Sequence, residues 1–373
     1  MQKFQKIHVN GENYIIIDAI QNLRAEDSFI HRKNKLSIFT GNGEARKYVG
    51  SYVGNSGARL SDFFEYHEWG AAKQVNNKRA EYPTIQENCF FSKSNLLKYL
   101  YDARVEFHKQ EQHYHTDISE YYNDYLNSIV DLKNEINEFS IYDVSDLVTG
   151  NPTRRRGYIR SDADIWNIWR ALILPKISYL SILKLLPEKI QGKEQKPLFY
   201  FRVFLDYQFR SIVHPKLTES SSQMTEKLID EKKGAVKRTG RKGQSEYRRK
   251  VLDYMPQCPF TLIKDDVLLK ASHIKPYSVC ISEGKENEAL DHLNGLSLTP
   301  TYDWLFDQGY ITFTDNGELI CGTQLSIYTW EKLHINPNAK NKMRIYPEGR
   351  EKYLDYHRKF VFQDNIDDMI LKS

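Results

Sequence analysis

The sequence predicts an α+β protein: a mixed α/β N-terminal region, a helical middle, and a C-terminal unit in which two strands and a helix surround one histidine. Three observations carry that expectation. Strand-like and glycine-punctuated segments fill the first ninety residues, and apolar residues at helical spacing follow. Residues 271–309 then hold ASHIKPY, a short loop and LNGLSLTPTYDWLFDQG. The same features set expected boundaries at 1–150 for the mixed α/β region, 151–215 for the helical region, 216–242 for a basic linker, and 243–373 for the C-terminal domain with its extension.

In chain order, YIIID (14–18) reads as a strand. GNGEARKYVGSYVGNSGARL (41–60) reads as hairpins or tight turns in which glycine supplies positive φ. These glycines match no phosphate-binding fingerprint, because no Lys-Ser/Thr follows them. Ile118, Tyr122, Tyr125, Ile129, Leu132, Ile136 and Phe139 alternate steps of four and three, which predicts one long helix with a core or dimer-seam stripe. Ser161 and Asp162 suit the cap of a second, Trp-rich helical stretch reaching Leu186, broken or kinked at Pro175. From 216 to 241 the chain turns polar and charged, as a linker or arm does.

In the C-terminal module, CPFTL (258–262) and VLLKA (267–271) flank a polar turn and predict a hairpin; GLSL (295–298) predicts a second core strand. The next helix has both ends written in the sequence: Thr299 as N-cap, Pro300 at the first helical position, Gly309 where a C′ glycine belongs. Within it Asp303 and Asp307 share a face, while Leu305 and Phe306 point to the core.

At 373 residues the chain has room for two or three domains, and 40% hydrophobic with 27% charged residues is ordinary for a soluble protein. With no charged-then-apolar leader, and no apolar run near the roughly 20 residues that span a bilayer, a cytoplasmic protein is expected. Cys89, Cys258, Cys280 and Cys321 lie far apart, form no CxxC pair and give no sign of a zinc ribbon or disulfide framework, so buried free thiols are expected. Net charge is only +4, but Lys232 to Lys250 holds nine lysines and arginines against Glu246. Such a block is either a solvated segment or a phosphate-neutralising one; Arg241, Lys242, Arg248 and Arg249 are the DNA-binding candidates. Arg154, Arg155, Arg156 and Arg160 form a second basic cluster with the same two readings. His108, His113 and His115 have spacings that fit no helix face and read as a surface cluster; His292 and His357 read as packing or phosphate-contacting residues.

Residues 271–309 resemble the HNH (His-Asn-His) nuclease family, and more closely its restriction-endonuclease branch. SHIKP matches the first motif and implies that His273 is the general base; Asn294 in LNGL matches the middle asparagine, which holds the loop of the base. Asp303 matches the third position, and the next metal-ligand position falls at Asp307. GQSEYR (243–248) and YLDYHRKFVF (353–362) extend the resemblance over the last third of the chain. Ser272 departs from it, standing where many members have Asp or His, and the zinc-binding cysteines of some members are absent.

The chemistry implied is a ββα-metal site hydrolysing a phosphodiester. A neutral imidazole, with an ordinary pKa near ~6.5, takes the proton of the attacking water. Two carboxylates suit Mg2+ or Mn2+ better than Zn2+, and such a cation shields the phosphate and the leaving oxygen. Lys275, two residues after the base, is a candidate contact to the scissile phosphate. The expected partner is double-stranded DNA, with a cognate methyltransferase as functional partner and a homodimer if the target is palindromic. A type II restriction enzyme, a modification-dependent or antiphage effector nuclease, and a non-catalytic DNA-binding protein are the readings this sequence leaves open.

Overall fold

A computed structural model of the chain describes residues 5–25, 46–52, 60–65, 73–75, 79–81, 86–109, 118–141, 143–148, 155–161, 163–189, 196–211, 243–338, 343 and 348–369. It divides into two compact units, Met1–Ser211 and Ile212–Ser373.

The first unit is built on strands β1 (Lys6–Val9), β2 (Glu12–Arg24), β3 (Arg46–Tyr52), β4 (Lys73–Val75), β5 (Arg79–Glu81), β6 (Gln86–Ser92), β7 (Ile136–Ile141), β8 (Asp143–Val148), β9 (Arg155–Arg160), β10 (Ser178–Pro187) and β11 (Leu198–Leu205). Six of them form one sheet in the order β1-β2-β10-β11-β6-β7, antiparallel except for the parallel β11–β6 pair. Strands β3-β9-β8 form a second sheet and β4-β5 a ribbon. Helices α1 (Lys93–Lys109), α2 (Ser119–Val130) and α3 (Asp164–Leu172) share one core with the large sheet, in which Phe91 stacks on Phe139 at 4.6 Å and meets Trp169 at 5.2 Å.

Two sequence expectations are corrected here. The stripe from Ile118 to Phe139 is not one helix: α2 stops at Val130, and Ile136 and Phe139 belong to β7. Burial of Phe139 and Ile141 there has period two, and the step of three into Phe139 matched the helical spacing by coincidence. Nor is the segment 151–215 mainly helical. Among its described residues α3 stands beside β9, β10 and β11. SYLSILKLLP and LFYFRVFL are buried along most of their length, so they lack the alternation that marks a half-buried strand.

The second unit opens with α4 (Gln244–Tyr254), followed by β12 (Lys270–His273), α5 (Tyr277–Ser282), α6 (Glu286–Ala289), β13 (Gly295–Leu298) and α7 (Pro300–Asp307). Strands β14 (Ile311–Phe313) and β15 (Leu319–Cys321) pair, and α8 (Ile327–Lys332) and α9 (Glu351–Tyr356) complete the main elements. Leu269, Ile274, Leu296, Leu298, Leu305, Phe306, Trp330 and Leu354 are among its core residues. The expected hairpin of CPFTL and VLLKA does not form. Cys258–Leu262 is a turn closed by Leu262 N–H to the Cys258 carbonyl at 2.9 Å, with Leu262 at φ +60°, and Pro259 has no N–H to give a ladder. β12 pairs instead with β13, antiparallel, with His273 opposite Gly295.

All four cysteines are buried free thiols. Among the described residues no helix is long and apolar enough to cross a membrane.

Candidate active site

His273 is the last residue of β12 and is half-buried. Its Nε2 lies 3.0 Å from the Ala289 carbonyl. A carbonyl only accepts, so Nε2 carries the proton, and in the neutral ring Nδ1 is then the basic nitrogen. The imidazole is stacked on the Tyr247 ring of α4, with centroids 4.2 Å apart and planes at 13°, and meets the Tyr277 ring edge-on at 5.8 Å.

Asn294 lies just before β13 with no exposed surface. Its Oδ1 accepts the Lys275 amide at 2.7 Å, and its Nδ2 donates to the carbonyls of Lys275 and Glu288, each at 3.0 Å. Its own carbonyl accepts from Ile274 N–H at 3.1 Å and from the Tyr247 hydroxyl at 3.0 Å. One buried residue therefore braces the chain as it leaves His273.

The helix bearing the two aspartates has Thr299 at its N-cap, Pro300 at the first helical position and Gly309 at φ +74° beyond its end. A Cβ on Gly309 would fall 2.1 Å from the Val361 carbonyl oxygen, so this end needs glycine for space as well as for φ. Asp303 is half-buried and Asp307 exposed. Burial pushes the Asp303 carboxyl above its ordinary pKa, against the opposing pull of the Ser272 hydroxyl and Lys270. Ser272 Oγ is buried and completes no hydrogen bond of normal geometry, although it lies near enough to Asp303 to favour the charged form. A partly dehydrated carboxylate beside an unsatisfied hydroxyl is a donor set that fits a hard divalent cation. Among the described residues no group of three or more His, Cys, Asp or Glu is arranged to hold a metal ion.

Lys275 is corrected. Its ammonium is buried and bound to Glu283 at 2.5 Å and Glu288 at 2.9 Å, and so is not available to a phosphate. Burial alone would lower its pKa; the two carboxylates outweigh that and the net shift is upward. Arg248, partly exposed, donates through Nη2 to the carbonyls of Asp266 at 2.6 Å and Leu269 at 3.2 Å, bracing the entry to β12. Arg249 is exposed and paired with Asp253 at 3.3 Å. Arg241, Lys242, Arg154, His113 and His115 lie outside the described residues. His357 is a packing residue, flat on Phe306 at 3.8 Å, with Nε2 on the Phe306 carbonyl and Nδ1 facing the Thr312 hydroxyl.

Sequence reasoning missed the Ala289 carbonyl, for which a backbone acceptor leaves no signal. Tyr247 lies in GQSEYR, where an aromatic residue was the available clue.

Residues 258–314 match the family model of the HNH endonucleases (HNH_2). The matched stretch holds β12, β13 and α7, and with them His273, Asn294, Asp303 and Asp307. The chain thus carries an HNH endonuclease domain in its C-terminal part, which supports a DNA nuclease. No curated protein matches the chain.

Proposed function

We infer that the protein is a metal-dependent endonuclease hydrolysing phosphodiester bonds in double-stranded DNA, and that it acts as a sequence-specific type II restriction enzyme. The observation that carries the reading is the anchored tautomer of His273 inside the HNH-matched segment. With Nε2 held by the Ala289 carbonyl, Nδ1 takes the proton of the attacking water, and the Ala289 oxygen stabilises the imidazolium that results. Asn294 keeps the loop behind the base in place. Asp303 and Asp307 would hold Mg2+ or Mn2+, which when bound supplies Lewis-acid shielding of the phosphate and the leaving 3′ oxygen.

The restriction reading draws on the first unit. Residues 1–211 form a separate compact body outside the HNH match, large enough to read base edges in a groove. In this reading residues 1–150 recognise the target, 216–242 link and contact phosphates together with Arg241, Lys242 and Arg249, and 243–373 cut. A palindromic target implies a two-fold dimer, and a cognate methyltransferase protects host DNA.

Incubation of the full chain with plasmid and phage DNA and Mg2+ tests this. Discrete fragments support restriction, and a smear supports a nonspecific effector nuclease. Binding without cutting supports a non-catalytic DNA-binding protein.

A further inference from the structure

We propose that Tyr247 is a positioning residue for His273: its ring sets the plane of the imidazole, and its hydroxyl ties that ring to the strand junction behind the base. This rests on the reading of His273 as general base. Tyr247 sits on α4, upstream of the HNH-matched segment, and is buried. Its ring lies parallel to that of His273 at 4.2 Å. Its hydroxyl donates at 3.0 Å to the Asn294 carbonyl, the same oxygen that accepts from Ile274 N–H, one residue past the base. Burial raises the phenol pKa, so the hydroxyl stays a donor.

Gly295 makes the approach feasible. Its φ of −139° is ordinary extended backbone, yet a Cβ there would fall 2.6 Å from the Tyr247 hydroxyl and 2.6 Å from Val251 Cγ2. Space for α4 is therefore what glycine provides. The Ala289 carbonyl holds one ring atom of His273, the Tyr277 ring meets its edge, and the stacked Tyr247 phenol covers its face and sets the plane of the ring. A π face also favours the imidazolium formed when the base takes its proton.

The test uses the full chain with Mg2+, each variant first checked by thermal melting. Tyr247→Phe keeps the ring and should retain kcat within about threefold, whereas Tyr247→Leu should lower kcat about 10–100-fold with KM for DNA little changed, the loss expected of a base displaced by ~1 Å. In a His273→Ala background, Tyr247→Leu should leave the residual rate unaltered. Independently of cleavage, the His273 Cε1 proton should be shifted upfield by the stacked ring in wild type and Tyr247→Phe, and should move downfield in Tyr247→Leu. If Tyr247→Leu misfolds, Gly295→Ala, which pushes the same ring aside, should reproduce the rate loss and the proton shift. The proposal is overturned if Phe is as damaging as Leu, if a folded Leu variant keeps wild-type kcat, or if the His273 proton does not move. Should the wild type cut no DNA, the nuclease reading fails, and the proton shift still decides the role of the ring.

Discussion

The Asn294 side chain grips both backbone groups of Lys275, accepting its amide at 2.7 Å and donating to its carbonyl at 3.0 Å. Its Nδ2 also donates to the Glu288 carbonyl, so the turn leaving β12 and the helix α6 depend on one buried amide. Asn294→Asp keeps the acceptor, loses both donors and turns a carboxylate toward two carbonyls. Each buried group left without its partner costs about 1–3 kcal/mol, so stability should fall by that order per carbonyl. Cleavage should fall with it. Melting and cleavage measured on one sample check this; wild-type values for both would remove Asn294 as the brace.

His273→Ala should abolish cleavage and leave DNA affinity within a few-fold, because the base acts on water in the transition state and adds little to ground-state binding. Titrating labelled DNA alongside the cleavage assay separates the two. Equal loss of binding and cutting would make His273 structural.

Asp303 gives a pH-dependent expectation. Its folded pKa is raised by burial, so its contribution to stability is present below the ordinary carboxylate pKa of about 3.9 and is lost as pH rises through the folded value. At neutral pH without metal the ionised group is therefore a cost, and Asp303→Asn should raise the melting temperature by a few degrees. Mg2+ should raise it in the wild type and not in the variant. Asp307→Ala, at an exposed position, should only raise the Mg2+ requirement. Equal Mg2+ stabilisation of wild type and Asp303→Asn would place the ion elsewhere.

Lys275→Met should destabilise the second unit by about 1–3 kcal/mol, because Glu283 keeps Lys285 at 2.8 Å and Glu288 keeps Lys352 at 3.5 Å. Glu283 would be left almost fully buried and Glu288 partly so, both without this cation. DNA affinity should keep its salt dependence, since an ammonium held by two carboxylates releases no counterions from DNA. A flattened salt slope would return Lys275 to the phosphate.

Helix α7 was legible because its ends rest on local chemistry: a threonine, a proline and a left-handed glycine act within one turn of where they stand. The strand at residues 14–18 was legible for a similar reason, since its β-branched run is β-forming in itself. What stayed hidden depended on distant partners. β10 reads as an apolar run compatible with helix until β2 and β11 are seen to flank it. Lys275 reads as a free cation until the chain brings Glu283 and Glu288 back to it. The Tyr247–His273 stack joins residues 26 positions apart on different elements, and Gly295, where a Cβ would fall 2.6 Å from the Tyr247 hydroxyl, leaves room for it.

The last expectation separates reading from cutting. A fragment starting near Lys216 should fold, because the second unit owns a core centred on Leu296, Leu298, Leu305, Phe306 and Trp330. It keeps His273, Asp303, Asp307 and the basic segment, so it should nick DNA weakly and without regard to sequence; phosphate contacts position a protein but carry no base information. The fragment 1–215 should bind target DNA selectively and never cut it. Cleavage maps and competition binding of both fragments beside the whole chain make the comparison. If the C-terminal fragment alone cut at the native sites, base reading would belong to the HNH-bearing unit, and the large sheet of the first unit would need another role.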